Sequence, residues 1–333
     1  MCGEAIRYNP NFEAHSMVVT HGTPVPRGPQ ALTVGNFDGV HRGHQAMLAR
    51  LVAKARELGV PSCVLTFEPH PREFFSADRA PARLARLREK IERFVEAGVD
   101  RVHVARFDAG FASLAPERFI GDMLLRGLGA RWLLVGRDFR FGVRRTGDFA
   151  TIEKAAARDG FELEAMPDVL DRSERISSSA VRQALESADF ALAGRLLGRP
   201  YEVSGRVAHG RKLGRELGFP TANIVLRRRA PLAGVYVVEV HGADAGQPDR
   251  WLRGAASLGV RPTVNEVAMP LLEVHLLDFA DELYGRHLRV RFLAKLRDEA
   301  KFSGLEALRE AIGRDVEAAK RYIAAPGEGG RSL

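Results

Sequence analysis

Leu32-Thr33-Val34-Gly35-Asn36-Phe37-Asp38-Gly39-Val40-His41-Arg42-Gly43-His44-Gln45 decides how this 333-residue chain is read. Leu32 to Val34 is an apolar run with the character of a buried strand. Gly35, Asp38 and Gly39 break it into a turn. His41 and His44 then flank Gly43, where Ala46, Met47, Leu48, Leu51 and Val52 begin a helical apolar period. A strand, a tight glycine turn and a helix leave unpaired N–H groups and the positive end of the helix dipole facing the space above the sheet. That is an anion site. Imidazoles three residues apart leave the first helical turn in one direction, placed to donate to phosphate oxygens as charge develops on them.

A histidine pair at helical spacing is by itself more often structural than catalytic. The whole string, Gly-x-Phe-Asp-Gly-x-His-x-Gly-His, is more specific. It resembles the HxGH signature of nucleotidylyltransferases, and Phe37, Asp38 and Gly39 ahead of the histidines make it similar to the FMN adenylyltransferase branch. The resemblance implies that His41 and His44 stabilise the α-phosphate of ATP and the departing pyrophosphate. It also implies ATP contacts from Gly35, Phe37, Asp38 and Gly39.

Around this centre, the length accommodates two domains. With 45% hydrophobic and 28% charged residues, the composition is that of a soluble globular protein. No apolar run approaches the roughly 20 residues that span a bilayer, so no membrane association is expected. Residues 1–16 are polar and irregular and read as a loose extension without a signal peptide's apolar core. Two cysteines, Cys2 and Cys63, make neither a disulfide framework nor a metal set, and the cytoplasm is the expected compartment. The net charge of +8 suits nucleic acid and anionic nucleotides alike. Its densest run, Arg227 to Arg229, reads as a solvated loop, and no RNA- or DNA-binding signature accompanies it, so no nucleic-acid partner is expected.

Three more strands follow, Pro61 to Phe67, Val102 to Ala105 and Trp132 to Val135, separated by helical patterns. One of these patterns carries Leu84, Leu87, Ile91, Phe94 and Val95 as a core stripe; another opens at Pro116. Alternating strands and helices predict a doubly wound parallel sheet, and no GxGxxG follows any strand. Binding residues gather at the carboxyl ends of such strands. Glu68-Pro69-His70-Pro71 follows the second strand, as in the flavin adenylyltransferases, so Glu68 and His70 are flavin-side candidates. The Gly136-to-Gly142 loop reads either as a glycine-bounded turn with Phe139 and Phe141 packed inward or, as similar loops of the family imply, as a flavin-side border to which Asp138 and Arg140 contribute. Ser177, Ser178 and Ser179 precede a helix, an ordinary capping pattern. With Arg182 one turn on, they match the family's second nucleotide motif and imply a cradle for the β- and γ-phosphates. Ser179 stands where the family has threonine.

At Gly198-Arg199-Pro200 the pattern changes to short strands and glycine-rich turns, which predicts a small antiparallel barrel closed by a final helix over about 304–324, with Leu305, Leu308, Ile312, Val316 and Ile323 on one face. The expected division is a loose segment 1–16, a nucleotidylyltransferase domain 17–198, a second domain 199–326 and a tail 327–333. Gly205-x4-Gly210-Arg211-Lys212 only imitates a phosphate loop, since Arg211 stands at the lysine position. Gly214 to Asn223 is the stronger string. Thr221 and Asn223 present side-chain oxygens on one face of an extended segment, which suits a hard cation.

The Gly-Phe-Pro-Thr-Ala-Asn part of that string resembles the hallmark of riboflavin kinases. The resemblance to the bacterial bifunctional riboflavin kinase/FAD synthetase family then covers about residues 32–323. It implies that Glu273 is the general base and that Thr221 and Asn223 hold Mg²⁺. Gly210, Lys212, Gly218 and Pro220 would face ATP, and Arg297 and Phe302 the flavin. Gly259-Val260-Arg261-Pro262-Thr263 is similar to a turn of that family. The implied activity is phosphorylation of riboflavin by ATP to FMN in the second half and adenylylation of FMN to FAD in the first, by a monomer or weak oligomer. The alternatives are an HxGH enzyme with another phosphate acceptor, which leaves the second half unexplained, and a basic nucleic-acid-binding module.

Overall fold

The computed structural model of the chain describes residues 6–8, 17–24, 28–210, 213–226, 228–261 and 269–324. They form two compact units. One takes the chain up to Pro81 and from Ala85 to Ser177; the other takes Ala82–Leu84 and the chain from Ser178 onward.

The first unit is built on a seven-stranded sheet: β1 (Ile6–Tyr8), β2 (Met17–His21), β3 (Gln30–Val34), β4 (Ser62–Glu68), β5 (Arg101–Arg106), β6 (Ala130–Gly136) and β7 (Glu162–Met166), in the order β1-β2-β5-β4-β3-β6-β7. β2 to β7 are parallel, and β1 pairs antiparallel with β2 at the edge. β1 falls inside the segment read from sequence as loose; its backbone pairs Ile6 with Val19 and Tyr8 with Met17.

Strand alternation sends neighbouring side chains to opposite faces, and here both faces are covered. Ala31 joins a core with Leu48, Leu51, Ile91 and Phe94 from the helices Arg42–Leu58 and Leu87–Glu96. Leu32 and Val34 join the opposite core, with Leu124 and Ile152 from the segments Phe119–Gly127 and Phe149–Asp159. This is the doubly wound sheet the alternation predicts. Pro116 opens its helix at the first position, and the helix then widens to i→i+5 bonds, as in Leu128 N–H to the Met123 carbonyl. β4 and β5 extend to one side of β3 and β6 to the other, so the sheet reverses direction at the carboxyl end of β3. Ligands of open α/β sheets bind at that point. A small hairpin of β8 (Leu170–Asp171) and β9 (Glu174–Arg175) follows β7.

The second unit holds β10 (Glu202–Ala208), β11 (Ala222–Val225), β12 (Gly234–His241), β13 (Trp251–Arg261), β14 (Met269–Leu276) and β15 (His287–Arg297). They close as an antiparallel barrel in the order β10-β11-β14-β13-β12-β15. The helix Leu305–Ala324 packs outside it through Ala311, Val316, Ala319 and Ile323. Leu305, expected on that face, is instead exposed, because it sits in the first turn, before the helix reaches the barrel. The helices Ser178–Glu186 and Phe190–Leu197 count with the barrel, although composition changes only at Gly198. The Phe190 ring, stacked 6.4 Å from Phe292, shows why.

Candidate active sites

The first site lies at the reversal point. Two residues with side chains are held in left-handed backbone there, Phe37 (φ 49°) and Val40 (φ 40°), beside Gly39 (φ 80°). A β-branched residue rarely adopts that conformation, and such strain gathers at functional turns. The Phe37 ring is fully buried edge-on against Phe94, so only its backbone can meet a ligand. Asp38 is also buried and accepts the Ala85 N–H at 3.1 Å. It therefore fixes the turn from within. The Gly35 N–H donates to the Leu65 carbonyl.

His41 caps the helix Arg42–Leu58: its Nδ1 accepts the His44 N–H at 3.4 Å. The two imidazoles stack 3.7 Å apart. Gly43 explains the spacing of the motif, since a Cβ there would lie 3.1 Å from Cε1 and 3.2 Å from Nδ1 of His41. The His44 Nδ1 is buried and has no hydrogen-bond partner. Burial holds this imidazole well below the ordinary histidine value of 6.5, and the charges of His41 and Lys90 lower it further. At neutral pH it is uncharged.

Around the turn, Glu68 ends β4, and His70 caps the short helix Pro71–Phe75 by accepting the Arg72 N–H at 3.1 Å. Asp138 is paired with Arg175 at 2.8 Å, which holds its carboxyl below the usual carboxylate range. Arg140 is exposed, 4.0 Å from Asp148. Phe139 and Phe141 stack at 5.4 Å, and Phe141 is buried. Ser177 ends the first unit. In the second, Ser178 and Ser179 open a helix, and Arg182 is buried with its Nε donating to the Ala82 carbonyl at 2.7 Å.

Two features escaped the sequence. Phe74 and the 67%-exposed Phe75 form an aromatic shelf with Phe107 at the carboxyl ends of β4 and β5. Lys90 is a cation within the stripe Leu87, Ile91 and Phe94; a charge on an apolar face was the available signal.

The second site is on the barrel. Cross-strand pairing sets Asn223 of β11 opposite Glu273 of β14, and Glu273 opposite Ser257 of β13. The Asn223 amide nitrogen donates to the Thr221 carbonyl at 3.3 Å, which leaves Oδ1 as its acceptor atom. A Cβ at Gly210 would lie 2.5 Å from that amide and one at Gly214 3.2 Å from Thr221 Oγ1, so bare glycines surround both oxygens. Two neutral hard oxygens in a bare cradle fit Mg²⁺, which keeps several waters and shares phosphate oxygens. No cluster of three or more His, Cys, Asp or Glu fit to hold a metal occurs among the described residues. Gly218 turns at φ 89°, and the Pro220 carbonyl lies 2.9 Å from His275 Nδ1. A cleft lined by Pro220, Thr221, Phe279 and Tyr284 adjoins them.

Gly205 lies within β10, so the phosphate-loop imitation is a strand; Lys212, like Arg211, Arg227 and the Pro262-Thr263 end of the family-like turn, lies outside the described residues. Arg297 makes a two-pronged ion pair with Asp315 at 2.7 and 2.9 Å and sits 5.6 Å from the Phe302 ring. That pair ties the barrel to its helix. Glu299, also missed, fills the space above Gly259, where a side chain would overlap its carboxylate. Burial raises its pKa against the lowering by Arg297, and Glu273 adds to the rise.

No helix among the described residues is long and apolar enough to cross a membrane. The FAD synthetase family model matches residues 25–180 and the riboflavin kinase family model residues 197–323. The chain is 53% identical to the bifunctional riboflavin kinase/FMN adenylyltransferase of Pseudomonas fluorescens, over 91% of this chain and 95% of that protein. It is 48% identical to the protein of that name from Escherichia coli K12, over 90% and 94%. A crystal structure titled macrolide-efflux protein, from Streptococcus pneumoniae, matches 91% of this chain and 98% of its own at a TM-score of 0.72 and 29% identity. With both domain models matched in order and near-complete relatives at about half identity, the chain belongs to the family of bifunctional riboflavin kinase/FMN adenylyltransferases.

Proposed function

We propose that the barrel transfers the γ-phosphoryl of ATP to the 5′-hydroxyl of riboflavin, and that the parallel-sheet unit joins the resulting FMN to the AMP moiety of a second ATP, giving FAD and pyrophosphate. The observation that carries the second step is the capped, stacked pair His41–His44 on a strained turn at the reversal point of the sheet.

In adenylylation the FMN phosphate is already an ionised nucleophile, so the protein supplies placement and charge stabilisation rather than a covalent intermediate. The uncharged His44 imidazole at the helix start, with His41 stacked on it, donates N–H to the α-phosphate as its charge grows, helped by the positive end of the helix dipole. Ser177, Ser178, Ser179 and Arg182 keep the phosphate role their motif implies. The Phe74–Phe75–Phe107 shelf, its rings edge-on to one another, offers apolar aromatic surface against which an isoalloxazine ring packs, with Glu68, His70, Asp138 and Arg140 as its polar border.

In the kinase step Glu273 takes the proton of the attacking hydroxyl. Thr221 Oγ1 and Asn223 Oδ1 would hold Mg²⁺, which would supply positive charge to offset that of the phosphates. Glu299 adds a second carboxyl beside Glu273. The test is direct: the purified protein, given riboflavin, ATP and Mg²⁺, is sampled over time and its flavins separated. FMN rises first and FAD follows. Riboflavin left unchanged refutes the reading.

A further inference from the structure

Lys90 is 1% exposed, on the helix Leu87–Glu96. An ammonium group withdrawn from water persists only with partners. Its Nζ is 3.2 Å from the Asn36 carbonyl oxygen, 3.5 Å from Thr66 Oγ1 and 4.0 Å from Glu68 Oε2. Asn36 belongs to the turn after β3; Thr66 and Glu68 close β4. One cation thus ties together the two strand ends that carry the first site. The same helix supplies Phe94, on which Phe37 packs, and Phe37 in turn lies 5.0 Å from the His44 ring. Packing alone needs only an apolar side chain at position 90, so the charge calls for another explanation.

We propose that Lys90 is a positioning residue for adenylyl transfer, its buried ammonium pinning the histidine turn to the end of β4 and setting a fixed positive charge behind the imidazoles. This rests on the reading of that turn as the adenylylation site. The titratable groups that act on His44 are His41, from its own turn, and Lys90, from the helix packed against it. Both oppose its protonation, so loss of Lys90 makes His44 easier to protonate.

The experiment compares the full-length wild type with Lys90→Met, Lys90→Gln and Lys90→Arg, following FAD formation from FMN and ATP against pH. The neutral variants are expected to lose about tenfold or more in kcat. The acid limb of their pH profiles is expected to move up by about half a unit or more. Lys90→Arg restores the limb to its wild-type position, a rescue that a purely structural lysine does not produce. A folded Lys90→Met or Lys90→Gln chain with an unmoved acid limb overturns the proposal; Lys90→Gln, which keeps a polar tip, serves if Lys90→Met does not fold. If the wild type itself makes no FAD, the site reading fails; if it does and the limb stays put, only this inference fails.

Discussion

Gly43→Ala tests the geometry of the histidine turn most sharply, because its effects on stability and on chemistry separate. The new Cβ would lie 3.1 Å from Cε1 and 3.2 Å from Nδ1 of His41. The ring has no easy retreat, since His44 stacks on it at 3.7 Å. A shift of a few tenths of an ångström carries the His41 cap, already 3.4 Å from the His44 N–H, out of hydrogen-bond range. Losing a helix cap costs about 1 kcal/mol. Replacing glycine by alanine inside a helix returns up to about 1 kcal/mol. The two nearly cancel, so the unfolding midpoint barely changes. Catalysis has no such compensation: a 1 Å misplacement of a reacting group costs on the order of 100-fold, and a few tenths of an ångström roughly tenfold. FAD formation from FMN and ATP, read by flavin separation, therefore falls about tenfold or more while FMN formation from riboflavin persists. A variant with FAD formation within about twofold of wild type would refute the reasoning.

His44 gives a pH dependence of known sign. Its folded pKa is lowered, so the unfolded chain binds a proton near 6.5 that the folded chain refuses until lower pH. Stability therefore rises with pH between the lowered value and 6.5, and His44→Ala flattens that part of an unfolding-midpoint series. FAD formation likewise falls as acid protonates His44, whereas an enzyme needing a charged histidine would gain activity there. Asp38→Ala strands the Ala85 N–H and costs about 1–3 kcal/mol, measurable by urea unfolding. Asn223→Ala removes a proposed magnesium oxygen; FMN formation drops and FAD formation from added FMN continues.

The architecture was legible where apolar residues follow a single period. Gln30–Val34 and Ser62–Glu68 are buried almost throughout, and their apolar runs marked them as strands of a doubly covered sheet. The barrel announced itself through short strands between glycine turns. What stayed hidden depends on contacts distant in sequence. The second helix pair joins the barrel through Phe190 against Phe292, a contact no local composition reveals. Arg297 carries the charge of a binding residue, and its ion pair with Asp315 of the closing helix is a contact that no local pattern announces. Lys90 was submerged in an apolar stripe whose period was right and whose exception mattered. Phe37 and Asp38 belong to a motif, and only their partners distant in sequence, the Phe94 ring and the Ala85 N–H, show that they hold the turn.

Mixing two damaged chains tests the central claim, that each unit performs one of two successive ATP-dependent steps. His44→Ala is expected to convert riboflavin to FMN and stop. Glu273→Gln is expected to leave riboflavin unchanged and still turn supplied FMN into FAD. Together, with riboflavin and ATP, the two chains should make FAD. A mixture that makes none, or either substitution silencing both steps, would contradict the account.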